Sequence, residues 1–256
     1  MNQRRLLWIL VVLLMVGAVG YGLYDFVLGP TLQPSSTMTA VPLPTSTDTA
    51  KPVETQPPPT EQPVEETATV QTASSAEGGV SVFQIVSEES QASFTIFEEL
   101  RGSPKNVVGT SNLVSGEIAV NPEDLSQTQV GVIQINARAF ATDDNRRNQA
   151  IRNRILFTDQ YEFVTFTPKE IIGLSGKGVA GQTYTFQIVG DLTIRDVTQS
   201  VTFDVTVTAE SDTRLTGTAT SLIRRSDFGI IVPDVPFVAN VADEVKLELK
   251  FTAVVQ

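Results

Sequence analysis

The sequence predicts an all-β domain of antiparallel strands, a sandwich or a closed barrel with one short helix, preceded by a transmembrane helix and a disordered linker. Three observations predict it. Apolar and polar residues alternate with period two through much of the chain beyond Gly79. An uncharged apolar run stands near the N-terminus, and a stretch rich in Pro, Thr, Ser and Glu separates the two. The expected division is residues 1–28 for the anchor, 29–79 for the linker and 80–256 for the domain. One unit of that size suits a single hydrophobic core.

Arg4 and Arg5 precede the uncharged run Leu6 to Tyr24, which Asp25 closes. As a helix it extends about 29 Å, near the roughly 30 Å hydrocarbon core of a bilayer. Basic residues on its N-terminal side keep that end in the cytoplasm. The expectation is a single-pass anchor in the cytoplasmic membrane, N-terminus inside, with the domain extracytoplasmic. Ala18-Val19-Gly20 also reads as a signal-peptide cleavage site, which would give a secreted form.

From Gly29 to Gly79 the composition cannot bury enough apolar area to offset chain entropy, as in Thr55-Gln56-Pro57-Pro58-Pro59-Thr60-Glu61. The stretch reads as a spacer holding the domain off the membrane.

Past Gly79, Val201, Phe203, Val205 and Val207 alternate with Thr202, Asp204, Thr206 and Thr208. Val245, Leu247, Leu249 and Phe251 do the same, as do Tyr184, Phe186, Ile188, Leu192 and Ile194. Successive strand side chains point to opposite faces, so each segment has one dry face. Further strands are expected near 82–86, 91–98, 107–120, 129–140, 161–172 and 213–224. Asp143 to Leu156 breaks the period and reads as a helix covering one barrel end. Thr142 or Asp143 is its N-cap, Ala150, Ile151 and Ile155 form its apolar face, and Arg146, Arg147, Arg152 and Arg154 the other.

By parity, Gly116, Gly131, Ala137, Ala139, Gly217 and Ala219 share the dry faces. Small inward residues leave room for an apolar guest. Equally, such glycines ease strand bending around a filled core.

Composition excludes several function classes. The chain has neither Cys nor His, which removes disulfides, thiol nucleophiles, the usual general base near neutrality and the commonest zinc ligand. A net charge of −11 argues against a nucleic-acid partner. Asp243-Glu244 cannot act as a facing carboxylate pair, because neighbours in a strand point apart. No cofactor and no catalytic residue is expected. Asp143-Asp144-Asn145 offers oxygen ligands, but a helix N-cap needs the same residues and no metal. Asp196-Val197 is expected in a turn, and Arg225-Ser226-Asp227-Phe228-Gly229 at a strand end, with Asp227 capping backbone groups and Phe228 packed inward.

Ordered motifs then carry a resemblance. They are Phe83-Gln84-Ile85, Ser90-Gln91-Ala92-Ser93-Phe94, Val108-Gly109-Thr110, Val114-Ser115-Gly116-Glu117-Ile118 and Thr142-Asp143-Asp144-Asn145 with Arg147-Asn148-Gln149-Ala150-Ile151-Arg152. Tyr161-Glu162-Phe163-Val164-Thr165-Phe166, Gly190-Asp191-Leu192-Thr193-Ile194-Arg195-Asp196-Val197-Thr198, Arg225-Ser226-Asp227-Phe228-Gly229-Ile230 and Val241-Ala242-Asp243-Glu244-Val245 follow. Over about Val82 to Val255 the chain resembles the YceI-like family of bacterial, lipocalin-like, polyisoprenoid-associated barrels. Arg147-Asn148 and Ala150 stand where that family often has Arg-Asp and His.

The resemblance implies an eight-stranded antiparallel lipocalin-like barrel with the helix packed over it and an amphipathic lipid in the lumen. The expected function is non-enzymatic binding or transport of a polyisoprenoid or similar lipid. Phe94, Ile118, Ile133, Ile135, Phe186, Leu192, Phe203 and Leu215 are the apolar lumen candidates, and Arg147 and Arg152 the head-group candidates. Expected partners are the long-chain lipid and, through the N-terminal helix, the membrane; a homodimer is left open. The alternative is a cell-surface interaction module with a filled core, and interior volume separates the two.

Overall fold

A computed structural model of the protein describes residues 32–35, 38–43 and 79–256. The expected anchor and its cleavage site lie outside the described residues, among which no helix is long and apolar enough to cross a membrane.

The alternating segments form one strongly curled antiparallel sheet. Its strands are β1 (Ser81–Ile85), β2 (Gln91–Leu100), β3 (Ser103–Ser111), β4 (Val114–Ser115), β5 (Glu117–Val120), β6 (Gln129–Val130), β7 (Ile133–Asn136) and β8 (Phe163–Ile172). They continue with β9 (Thr183–Ile194), β10 (Val197–Ser211), β11 (Arg214–Arg224), β12 (Val238–Ala239) and β13 (Glu244–Val255). Pairing runs β4-β7-β8-β9-β10-β11-β13-β1-β5-β6. Only Gly116 separates β4 from β5, and Gly131 and Val132 separate β6 from β7. The first and last pairs of that order, β4 with β7 and β5 with β6, therefore join the same two stretches of chain.

Curling shows in β13, whose first half pairs with β2 (Leu247 opposite Phe94) and whose end pairs with β1 (Ala253 opposite Ile85). Its other edge pairs with β11 along its length. The β9–β10 connection is tight: only Arg195 and Asp196 intervene, and Arg195 has φ 58°. A non-glycine residue in that left-handed region needs support. The Arg195 guanidinium supplies it, donating to the carbonyls of Ile155, Phe228 and Gly229 at 3.0–3.2 Å. One arginine thus ties the hairpin to two other connections.

Three expectations are corrected. The 129–140 strand ends at Asn136, whose side-chain oxygen accepts from Arg138 N–H and starts a 3-10 turn over Ala137–Ala139. The helix is shorter and irregular: α1 covers Asn145–Ala150, capped by Asp144 through the N–H groups of Arg146 and Arg147, and a π-turn follows over Ile151–Ile155. Those N–H groups, Arg147's first, hold the Asp144 carboxyl below its usual pKa against the opposing effect of burial. Third, the cap at Ser226 is Asp243, not Asp227: its carboxylate accepts from Ser226 N–H at 3.0 Å and from Ser226 Oγ at 2.6 Å. Phe228 is buried as expected.

The dry-face glycines are covered rather than left open. A Cβ on Gly116 would stand 2.4 Å from Ile133 Cδ1, and on Gly217 2.6 Å from Phe251 Cζ. Gly109 under Phe94 (2.3 Å) and Gly190 under Phe166 (2.7 Å) repeat the arrangement. Each of these side chains occupies the space above a glycine of the adjoining strand, so its bulk rests against the wall. Gly131 departs from the parity: the break between β6 and β7 turns it toward Leu43 of the linker.

A Cβ on Gly190 also meets the Thr167 carbonyl oxygen at 2.5 Å, and backbone yields less readily than a side chain. Gly190→Ala is expected to destabilise the domain by about 1–3 kcal/mol through overpacking. Urea unfolding against the parent chain measures it.

Candidate functional site

The dry faces do not meet in the middle. They enclose a cavity of about 960 Å³, at the upper end of the range for small-molecule sites. Its wall comes from every long strand: Phe94 and Ile96 on β2, Phe186, Ile188 and Leu192 on β9, Leu247 and Phe251 on β13, among others. Phe166 and Phe203 meet edge to face at 4.9 Å within it.

The cavity runs the length of the sheet. At one end it reaches Leu100, Arg101, Lys105, α1 and the connection through Val232, Val235 and Val238; at the other, Pro122, Leu125, Leu174, Val179 and Asp212. Ionisable side chains concentrate at the first end, called here the mouth. Arg147 donates to Glu98 at 3.0 Å and pairs with Asp143, which Lys105 also approaches at 2.6 Å. The Lys105 hydrogen bond comes first, followed against burial by Arg147, in holding Asp143 below the usual carboxylate range. Arg146 also lines the mouth, exposed and with no ion pair among the described residues.

Phe94, Ile118, Ile133, Ile135, Phe186, Leu192, Phe203 and Leu215 all line this one cavity. The apolar helix face, Ala150, Ile151 and Ile155, closes over it. Of the arginines named from the sequence, Arg147 borders the cavity but is already held by two carboxylates. Arg152 does not border it and donates instead to the Phe140 carbonyl at 3.4 Å. Sequence reasoning passed over Glu98, 7% exposed, although its parity with Phe94 and Ile96 places it on the inward face.

A second polar cluster lies on the outer surface beside the mouth. Glu162 accepts from Asn136 Nδ2 at 2.8 Å, from Arg138 at 2.7 Å and from Ser35 N–H at 2.7 Å. Leu32 N–H donates to Asp159 at 3.0 Å, and Ala40 is buried. The first part of the stretch read as a spacer therefore lies strapped against the domain.

Burial pushes the Glu162 carboxyl up, but hydrogen bonds from Ser35 and Asn136 and the charge of Arg138 outweigh it, so its pKa falls below 4.5. A depressed carboxylate contributes stability above its unfolded pKa and loses it as pH falls through the folded value. The strap is accordingly expected to loosen as pH falls below the ordinary carboxylate range. The protection of the Ser35 amide, its exchange rate taken relative to that of a free amide at the same pH, should fall there, and Glu162→Gln should lower it already at neutrality.

A model of the YceI-like domain family matches residues 83–253. Burkholderia cenocepacia BcnA has a similar structure, at 22% identity and a TM-score of 0.53, covering 66% of this chain and 99% of that one. A Saccharophagus degradans structure described as a polyisoprenoid binding domain implicated in plant cell wall breakdown is similar at 13% identity and a TM-score of 0.54, covering 68% and 98%. No curated protein matches the chain.

Proposed function

The chain belongs to the YceI-like domain family, and on that premise we propose that it binds a polyisoprenoid or similar amphipathic lipid inside an eight-stranded barrel. The protein carries this lipid without catalysis, tethered outside the cytoplasmic membrane by Leu6–Tyr24. One observation carries the reading: the apolar cavity of about 960 Å³ runs the length of the sheet, with ionisable groups concentrated at one end. That shape suits a chain with an apolar tail and one polar head. The Saccharophagus degradans domain, described as binding a polyisoprenoid, is compatible with this ligand class. The filled core required by the surface-module alternative is at odds with the cavity.

The tail lies against the eight lumen residues, gaining about 0.8 kcal/mol for each methylene removed from water. The head group stays at the mouth, where Arg146 takes the part expected of Arg147 and Arg152. Arg147 instead holds Glu98, which would otherwise be a poorly hydrated charge beside the tail. The test is recovery of the protein from its host, solvent extraction and mass spectrometry. A co-purifying long-chain lipid is the expected result. A domain that is always empty and takes up no added polyprenyl phosphate would overturn it.

A further inference from the structure

The strap starts at the mouth. Asp159 and Glu162, which hold Leu32 and Ser35, lie in the connection between β7 and β8 that also carries α1. Further along the linker, Leu43 lies over Gly131, five residues below the mouth end of β7. The segment's N-terminal end is therefore its mouth end.

Only residues 25–31 separate Leu32 from the apolar run ending at Tyr24. Fully extended, that connection spans at most about 28 Å. The twelve residues of β9, which run from mouth to base, would extend about 40 Å. A short tether attached at the mouth keeps that end near whatever holds the apolar run, yet leaves the domain free to rotate.

The mouth supplies the second restraint. Ile231 is 77% exposed and Phe237 71%, the two most exposed large apolar side chains among the described residues, and Val235 stands between them at 47%. Val235 itself lines the cavity, so the exposed patch is continuous with the lumen. Arg101 lies over the Phe237 ring at 5.7 Å, an aromatic side chain with a cation beside it. Such a pairing suits the layer between acyl chains and head groups.

We propose that the strap and this apolar rim turn the cavity mouth onto the bilayer, with Ile231, Val235 and Phe237 dipping into its surface. Lipid tails then pass between membrane and lumen without crossing water. The inference rests on the anchored-carrier reading above and adds an orientation to it.

Because the chain has no Cys, single labels can be placed without other changes. Asp234→Cys at the rim and Asp212→Cys at the opposite end each receive an environment-sensitive fluorophore. The full chain is reconstituted in phosphatidylethanolamine and phosphatidylglycerol vesicles whose acyl chains are brominated. The expected result is a blue shift and quenching at 234, with neither at 212. In unlabelled protein, Ile231→Ser with Phe237→Ser should slow uptake of fluorescent polyprenyl phosphate from vesicles by about tenfold, leaving uptake from detergent unchanged.

Equal quenching at both sites, stronger quenching at 212, or recovery of the full chain unbound to vesicles overturns the orientation. Lipid loading without quenching at 234 also overturns it, but keeps the carrier. Quenching at 234 in a domain that never loads lipid keeps the orientation and removes the cargo.

Discussion

Replacing Ala219 by Trp is expected to cut affinity for long prenyl lipids by about 50-fold or more while leaving the sheet folded. Ala219 sits midway along β11, opposite Val205 on one side and Leu249 on the other, and all three line the cavity. An indole there would project across the lumen and end the space available to a threaded chain. Three methylenes kept in water cost about 2.4 kcal/mol, which is the 50-fold loss. Titrating polyprenyl phosphates of increasing length gives the sharpest readout. The parent chain should bind longer homologues more tightly, whereas the variant should be insensitive to length beyond the block. Unfolding should change little, because the new ring fills space instead of displacing packed neighbours. An unaltered dependence on length would mean that the tail does not occupy the lumen.

Phe228→Ala should have the opposite signature, a large loss of stability with little direct effect on binding. Phe228 is 1% exposed and does not border the cavity. It belongs to the 3-10 turn Arg225–Phe228 that ends β11, followed by Gly229 at φ 60°. Arg195 donates to the carbonyls of Phe228 and Gly229, and Arg225 to that of Ile230 at 3.0 Å. Removing a fully buried ring from so constrained a turn costs about 3–5 kcal/mol. Urea unfolding should show a lower midpoint with an unchanged slope, the mark of lost stability without a change in the surface exposed. Lipid affinity of the protein still folded should stay close to that of the parent.

Much of this was legible because a curled sheet with one wet face repeats its signal at every second residue. Phe186, Ile188, Leu192 and Ile194 line the cavity as their parity requires, as do Val245, Leu247, Leu249 and Phe251. What escaped the sequence depends on contacts between distant segments. The division of β13 between β1 and β2 leaves no trace in alternation, and β12 is too short to show any. Parity failed at Gly131, where the strand breaks, and at Ala137 and Ala139, where Asn136 diverts the chain into a turn. Parity leaves open whether the dry-face glycines make room or ease bending, because single-strand logic does not see the side chain that another segment lays over each, Ile133 over Gly116, Phe251 over Gly217 and Leu43 over Gly131. The strap went unnoticed because its composition is that of a spacer. Its contacts with Asp159 and Glu162 are made by backbone N–H groups, which every residue except proline supplies. Arg152 escaped for a related reason: it lies past Ala150, where the regular helix gives way to a π-turn, so helical spacing does not place it.

The attachment of Leu43 over Gly131 changes the meaning of the long proline-rich stretch. Leu43 and Gly79 both lie in the described body, so the length of chain between them does not set how far the domain can stand from an anchor ahead of Leu32. On the anchored-carrier reading, shortening that stretch would leave the standoff from the bilayer as it is. Adding even a few residues ahead of Leu32 would lengthen it.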